Sequence, residues 1–124
     1  MTSNRPKLTE GDLAQFTGSD QLYYNPMFSR WKYTDGVKYM AEKAGAYWLI
    51  DAILSHQTNK KARAEEFQVW TLKLVPDTGR ATLAMTDGNT DRAIILQRIE
   101  WTDFPLTEIK FYVENNVLCL PSER

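Results

Sequence analysis

Apolar residues recur at helical spacing most clearly in the middle of the chain. Val37, Met40, Ala41 and Ala44 share one face of a wheel of about 100° per residue, opposite Lys38, Glu42 and Lys43. Ala46, Leu49, Ile50, Ile53 and Leu54 repeat the pattern, but a straight helix through Gly45 would point this second stripe roughly 180° away from the first. The phases therefore predict two helices broken at Gly45, because glycine readily takes the left-handed conformation of a helix C-cap. Thr34 or Asp35 offers the oxygen that caps the first helix. Tyr47, Trp48 and Ala52 widen the second stripe until only a thin polar strip around Asp51 and Ser55 is left, which marks that helix as the most buried.

Upstream, Thr9 with Glu10 and Asp12 reads as the capped start of a short helix that docks Leu8, Leu13 and Phe16 and ends at Gly18. Asp20 to Thr34 is aromatic and interrupted by Asn25 and Pro26, predicting an extended segment, a turn and a strand near Phe28 to Tyr33. Thr58 to Glu65 is polar and reads as a solvated loop. Period-two patterning dominates after it. Phe67 to Val75 precedes a Pro76–Gly79 turn, and Ala81, Leu83 and Met85 alternate with polar residues. Ala93 to Trp101 forms a further segment, Ile109, Phe111 and Val113 alternate again, and Asn115-Asn116 leads into Val117 to Leu120. The expected fold is α+β: an antiparallel meander sheet of four or five strands with two or three N-terminal helices packed on one face. At 124 residues it is read as a single domain, with residues 1–7 as a flexible tail.

Composition narrows the function classes. Hydrophobic residues are 43% and charged residues 25%, too apolar for intrinsic disorder. Fifteen Lys and Arg against 16 Asp and Glu leave a net charge of −1, which argues against a general electrostatic grip on nucleic acid or anionic lipid. One Cys and one His exclude a disulfide framework or a Cys/His zinc cage. Met1 to Lys7 does not resemble a secretory signal, and Ala46 to Leu54, interrupted by Asp51, is far short of the roughly 20 residues of a membrane span. With Cys119 unpaired, the expected compartment is the cytoplasm.

Candidate chemistry is sparse. Asp51, Ser55 and His56 are hydrolytic residue types, yet on a helix His56 projects about 140° from Asp51, so a same-helix dyad is not supported. A catalytic role for Asp51, His56 and Asp103 requires the tertiary fold to gather them in a pocket. The competing reading makes His56 a histidine at the core's edge and Asp51 a structural hydrogen-bond acceptor. Asp87-Gly88-Asn89-Thr90-Asp91 opens like a calcium loop, but Arg92 and Arg98 stand where such a loop needs Gly and Glu. No phosphate-binding glycine pattern and no Gly-x-Ser-x-Gly element occur, and no metal or cofactor is expected. Cys119 reads as a small apolar residue in the last strand.

One distribution stands out. Tyr23, Tyr24, Phe28, Trp31, Tyr33, Tyr39, Tyr47 and Trp48 place eight of the 15 aromatics within 26 residues, beside Met27, Arg30 and Lys32. Some must fill the core, whereas an exposed Tyr, Trp, Arg and Met patch has the composition of a binding hot spot. Tyr23, Tyr24, Met27, Phe28, Arg30, Trp31 and Tyr33 are therefore the candidate binding residues.

Several stretches occur together: Tyr33-Thr34-Asp35-Gly36-Val37, Ala46 to Ile53, Glu66-Phe67-Gln68-Val69-Trp70, Thr102 to Leu106 and Leu120-Pro121-Ser122-Glu123. As a set they resemble a family of small uncharacterised proteins from bacteria and their phages or mobile elements, a domain of unknown function. The resemblance covers most of the chain after Leu8 and implies a bacterial or phage cytosolic setting. It supplies no catalytic residues.

The sequence thus points away from an enzyme and toward an interaction module, an accessory or inhibitor protein that meets a protein partner or its own copy through the aromatic segment. A small hydrolase or ligand-binding domain on Asp51, His56 and Asp103 is the alternative. Single-stranded nucleic-acid binding by the aromatic cluster is a third reading, weakened by the charge balance.

Overall fold

A computed structural model of the protein describes residues 8–17 and 21–124. Thr9 caps a short helix, α1 (Glu10–Ala14), through a reciprocal capping box with Asp12. Leu8 is buried and Phe16 packs on Tyr39 with ring centroids 5.2 Å apart, so the expected docking side chains do dock. The helix ends earlier than expected, at Ala14; Gly18 and the expected tail at residues 1–7 lie outside the described residues.

The chain then forms β1 (Leu22–Tyr24), a 3₁₀ turn at Pro26–Phe28, and β2 (Lys32–Thr34). Pro26 at the start of the turn has no N–H to satisfy, which favours a helical turn over the strand expected near Phe28. Helix α2 (Asp35–Ala44) follows, capped by the Thr34 hydroxyl, and α3 (Tyr47–Ser55) comes next. Gly45 sits between them at φ 62 and ψ 38, the left-handed C-cap read from the helical phases. The turn redirects the second stripe, so Val37, Met40, Leu49, Ile50, Ile53 and Leu54 join one core. The polar segment expected as a loop contains a second 3₁₀ turn (His56–Thr58) and a one-turn helix, α4 (Lys60–Arg63), capped by Asn59.

Five further strands are β3 (Phe67–Val75), β4 (Arg80–Thr86), β5 (Ile95–Ile99), β6 (Glu108–Glu114) and β7 (Val117–Cys119). The fold is a mixed α and β structure, and two parts of the expected architecture need correction. All seven strands join one sheet, in the order β1-β2-β7-β6-β3-β4-β5, rather than four or five. The sheet is not a purely antiparallel meander either, because β2 pairs with β7 in parallel, Lys32 opposite Val117 and Tyr33 opposite Leu118. Parallel neighbours need a long crossover, here the whole of residues 35–116, and no local sequence pattern reveals it. Strand β6 pairs with β3 instead of β5, because residues 100–107 cross the end of the β3–β4 hairpin. That crossing is held by Thr102 N–H donating to Gly79 O at 2.8 Å and Leu74 N–H to Thr107 O at 2.9 Å.

Alternation along the strands sends Trp70, Leu72, Leu83, Met85, Phe111 and Leu118 to the helix-covered face. The opposite face carries half-buried Phe67, Val69 and Tyr112, with Arg124 4.4 Å from the Phe67 ring centroid. A final 3₁₀ turn, Pro121–Glu123, returns Glu123 to the start of α2. Its carboxylate accepts from Thr34 Oγ1 at 2.5 Å, Gly36 N at 3.0 Å and Leu120 N at 3.0 Å. A Cβ on Gly36 would lie 2.7 Å from both Glu123 Oε1 and Leu120 Cδ1. Gly36→Ala is therefore expected to cost about 1–3 kcal/mol in urea denaturation through overpacking, and Gly45→Ala about 1 kcal/mol through its left-handed backbone. An unchanged midpoint in either variant contradicts the role given to that glycine.

Candidate functional site

Helix α3 buries Leu49, Ile50, Ile53 and Leu54 against the sheet, which leaves Trp48, Asp51, Ala52 and Ser55 on one outward stripe. The Pro26–Phe28 turn lies over that stripe. Asn25 ties it down twice: its Oδ1 accepts from Met27 N–H at 2.8 Å, and its Nδ2 donates to Asp51 Oδ1. Asp51 is thereby bonded to a loop amide of the kind its structural reading requires. The sequence marks Asn25 and Pro26 as a turn, but no local pattern reveals the bond from Asn25 to Asp51, 26 residues away.

The pinned turn and the strand before it form a ridge. Met27 is 80% exposed and Tyr24 61%, and Leu22, two residues before Tyr24 on the same strand face, is also exposed. Arg30 is exposed, with its guanidinium 6.0 Å from the centroid of half-buried Trp31. Phe28 and Trp31 pack their inner sides against the core. Tyr23 packs against Tyr33 with tilted rings 5.8 Å apart and donates to Asp35 Oδ1 at 2.8 Å, with Lys38 Nζ 4.4 Å from its ring centroid. Tyr33 itself is buried in the core. Of the seven candidate binding residues, Tyr24, Met27 and Arg30 thus form the surface. Tyr23, Phe28 and Trp31 support it, and Tyr33 underlies it.

Between the turn and α3 lies a recess of about 420 Å³, lined by Met27, Phe28, Trp48 and Asp51 with Ser55 and Gln97 at its end. Neither His56 nor Asp103 lines it. His56 stacks on Trp70 at 5.3 Å, and its Nε2 lies 2.7 Å from Gln97 Oε1, a contact in which the ring nitrogen donates. Asp103 is exposed in the crossing loop at the β3–β4 turn. The fold gives Asp51 and His56 separate partners and places Asp103 on the exposed loop, outside the recess.

A larger cleft of about 580 Å³ opens beside Trp31, with Arg30, Arg63, Glu65 and Glu66 on its walls. Its floor is a reciprocal pair of buried amides. Gln57 Nε2 donates to Gln68 Oε1 at 2.8 Å, and Gln68 Nε2 donates back to Gln57 Oε1 at 3.0 Å. Trp70 Nε1 also donates to Gln68 Oε1 at 2.8 Å, and Ala62 O accepts from Gln68 Nε2 at 2.9 Å. Every polar atom of the floor is engaged, so it holds the strands and α4 together and leaves no buried group aimed at a ligand.

Burial and nearby carboxylates together shift the tyrosines around the ridge. Burial, followed by the fields of Asp51 and Glu42, raises the Tyr33 hydroxyl above its ordinary value, and burial with Glu42 does the same to Tyr47. The hydrogen bond to Asp35 is the main cause that raises Tyr23. Cys119 is pushed up to about 11 by burial, with Glu123 and Glu114 adding to the effect. A thiol so placed is a poor nucleophile. Its alkylation by iodoacetamide at pH 8 is expected to run about 100-fold slower than in the urea-unfolded chain, from the ratio of thiolate fractions. Equal rates folded and unfolded contradict this.

Among the described residues, no group of three or more His, Cys, Asp or Glu is placed to hold a metal ion. No curated protein and no solved structure matches the chain significantly. Residues 7–124 match a family of unknown function, DUF6876, and that match spans each of the segments on which the resemblance rests. With the ridge, the recess and all seven strands inside the matched region, the chain belongs to that family.

Proposed function

We propose that this protein is a non-enzymatic interaction module that presents the ridge from Leu22 to Trp31 to a protein partner. The observation that carries the reading is Met27, 80% exposed on a turn held at both its cap and its base. Because the backbone of the pinned turn is already ordered, docking costs little main-chain freedom, and burying a large apolar side chain there adds to affinity. Tyr24 and Arg30 flank it, residue types enriched at interface centres. The module acts as an accessory or inhibitor protein of a bacterium, phage or mobile element. No helix among the described residues is long and apolar enough to cross a membrane, and a lone thiol suits the cytoplasm.

A photocrosslinking amino acid at position 27 or 24 tests the reading in living cells, with position 73 on the opposite sheet face as control. The expected result is one shared crosslinked protein from 24 and 27 and none from 73. The purified partner is then expected to bind the Tyr24→Ser, Met27→Asp double variant at least tenfold more weakly, while the variant's unfolding free energy changes by less than about 0.5 kcal/mol. Crosslinks of equal yield from all three positions, or unchanged affinity, contradict the proposal.

A further inference from the structure

We infer that the recess between the Pro26–Phe28 turn and α3 receives the ammonium group of a lysine side chain on the partner that docks against the ridge. The inference rests on the interaction reading and specifies the partner's chemistry. Two aromatic side chains, Phe28 and Trp48, and the thioether of Met27 line the recess around a carboxylate. Ring faces attract cations, and a carboxylate beside them fixes the cation's position. Asp51 has no cation of its own: among the described residues the ion pairs are Lys73 with Glu108 and Arg124 with Glu114. No basic side chain lines the recess, and Lys38, Lys43 and Arg30 lie over other rings, those of Tyr23, Tyr39 and Trp31.

The choice of lysine over arginine follows from the carboxylate's own bonds. Asn25 occupies Asp51 Oδ1, which leaves Oδ2 open to a partner. A guanidinium gains most from a two-oxygen fork, whereas an ammonium is satisfied by one oxygen and the ring faces. The alkyl stem of lysine would lie along Met27, Phe28 and Ala52, covering apolar surface that faces solvent.

The test is an NMR titration of the intact ¹⁵N-labelled protein with Nα-acetyl-lysine N-methylamide, its norleucine isostere and its arginine analogue. The expected result is a saturable shift of the Trp48 indole and Asn25 side-chain amide signals with the lysine probe. Binding of the norleucine and arginine probes is expected to be at least tenfold weaker. Asp51→Asn, which keeps an acceptor for Asn25, is expected to weaken the lysine probe at least tenfold, and Trp48→Leu severalfold, with the remaining amide spectrum unchanged. Equal binding of the norleucine probe, tighter binding of the arginine probe, an unaffected Asp51→Asn variant or no saturable shift overturns the inference. Because the titration needs no partner, its failure leaves the crosslinking result standing, and failed crosslinking leaves the titration readable.

Discussion

A single carboxylate reinforces the shortest ladder of the sheet, the one between β2 and β7. Strand β2 meets the rest of the sheet through two residue pairs with β7, and β1 reaches it only through β2. Such a short parallel junction adds little cohesion by itself. Glu123 supplies what the ladder lacks, accepting from the Thr34 hydroxyl, the Gly36 amide at the first turn of α2 and the Leu120 amide. Each bond to a charged acceptor contributes about 1.5–3 kcal/mol, and the N-terminus of α2 favours a negative charge beside it. Gly36 is the residue that allows the approach.

The ridge depends on that junction because both of its flanks are strands held through it. With β1 and β2 anchored, the turn between them is carried onto α3, where Asn25 and Asp51 fix its height. The interior has a separate anchor. The Gln57–Gln68 amide pair, with the Trp70 indole, ties the segment after α3 to the central strand and satisfies polar groups that would otherwise be costly to bury. One network thus positions the N-terminal strands and another secures the core beneath the helices.

Local physics made much of this legible. Opposed phases on either side of Gly45 located the hinge, alternation located β4 and β6, and β-rich composition and the Asn115-Asn116 turn located β3 and β7, because these signals are local. The parallel β2–β7 pairing was not legible, since it links residues more than eighty positions apart and β2 is only three residues long. The segments Tyr33–Val37 and Leu120–Glu123 stood out together in the sequence, yet only the fold shows that one grips the other. At the site, aromatic clustering marked the right region without separating Tyr24 and Met27, which face solvent, from Tyr33, which fills the core. That distinction depends on which strand face the helices cover, a tertiary outcome that alternation alone does not assign.

Native-state hydrogen exchange on Glu123→Ala measures the junction directly, because it reads the stability of each strand separately. Amides of β1 and β2 are expected to lose at least tenfold protection relative to the wild type, while those of Trp70 and Phe111 in the central strands keep theirs. Uniform loss across the sheet, or unchanged protection at Tyr23 and Tyr33, would contradict the role of Glu123 at the β2–β7 junction.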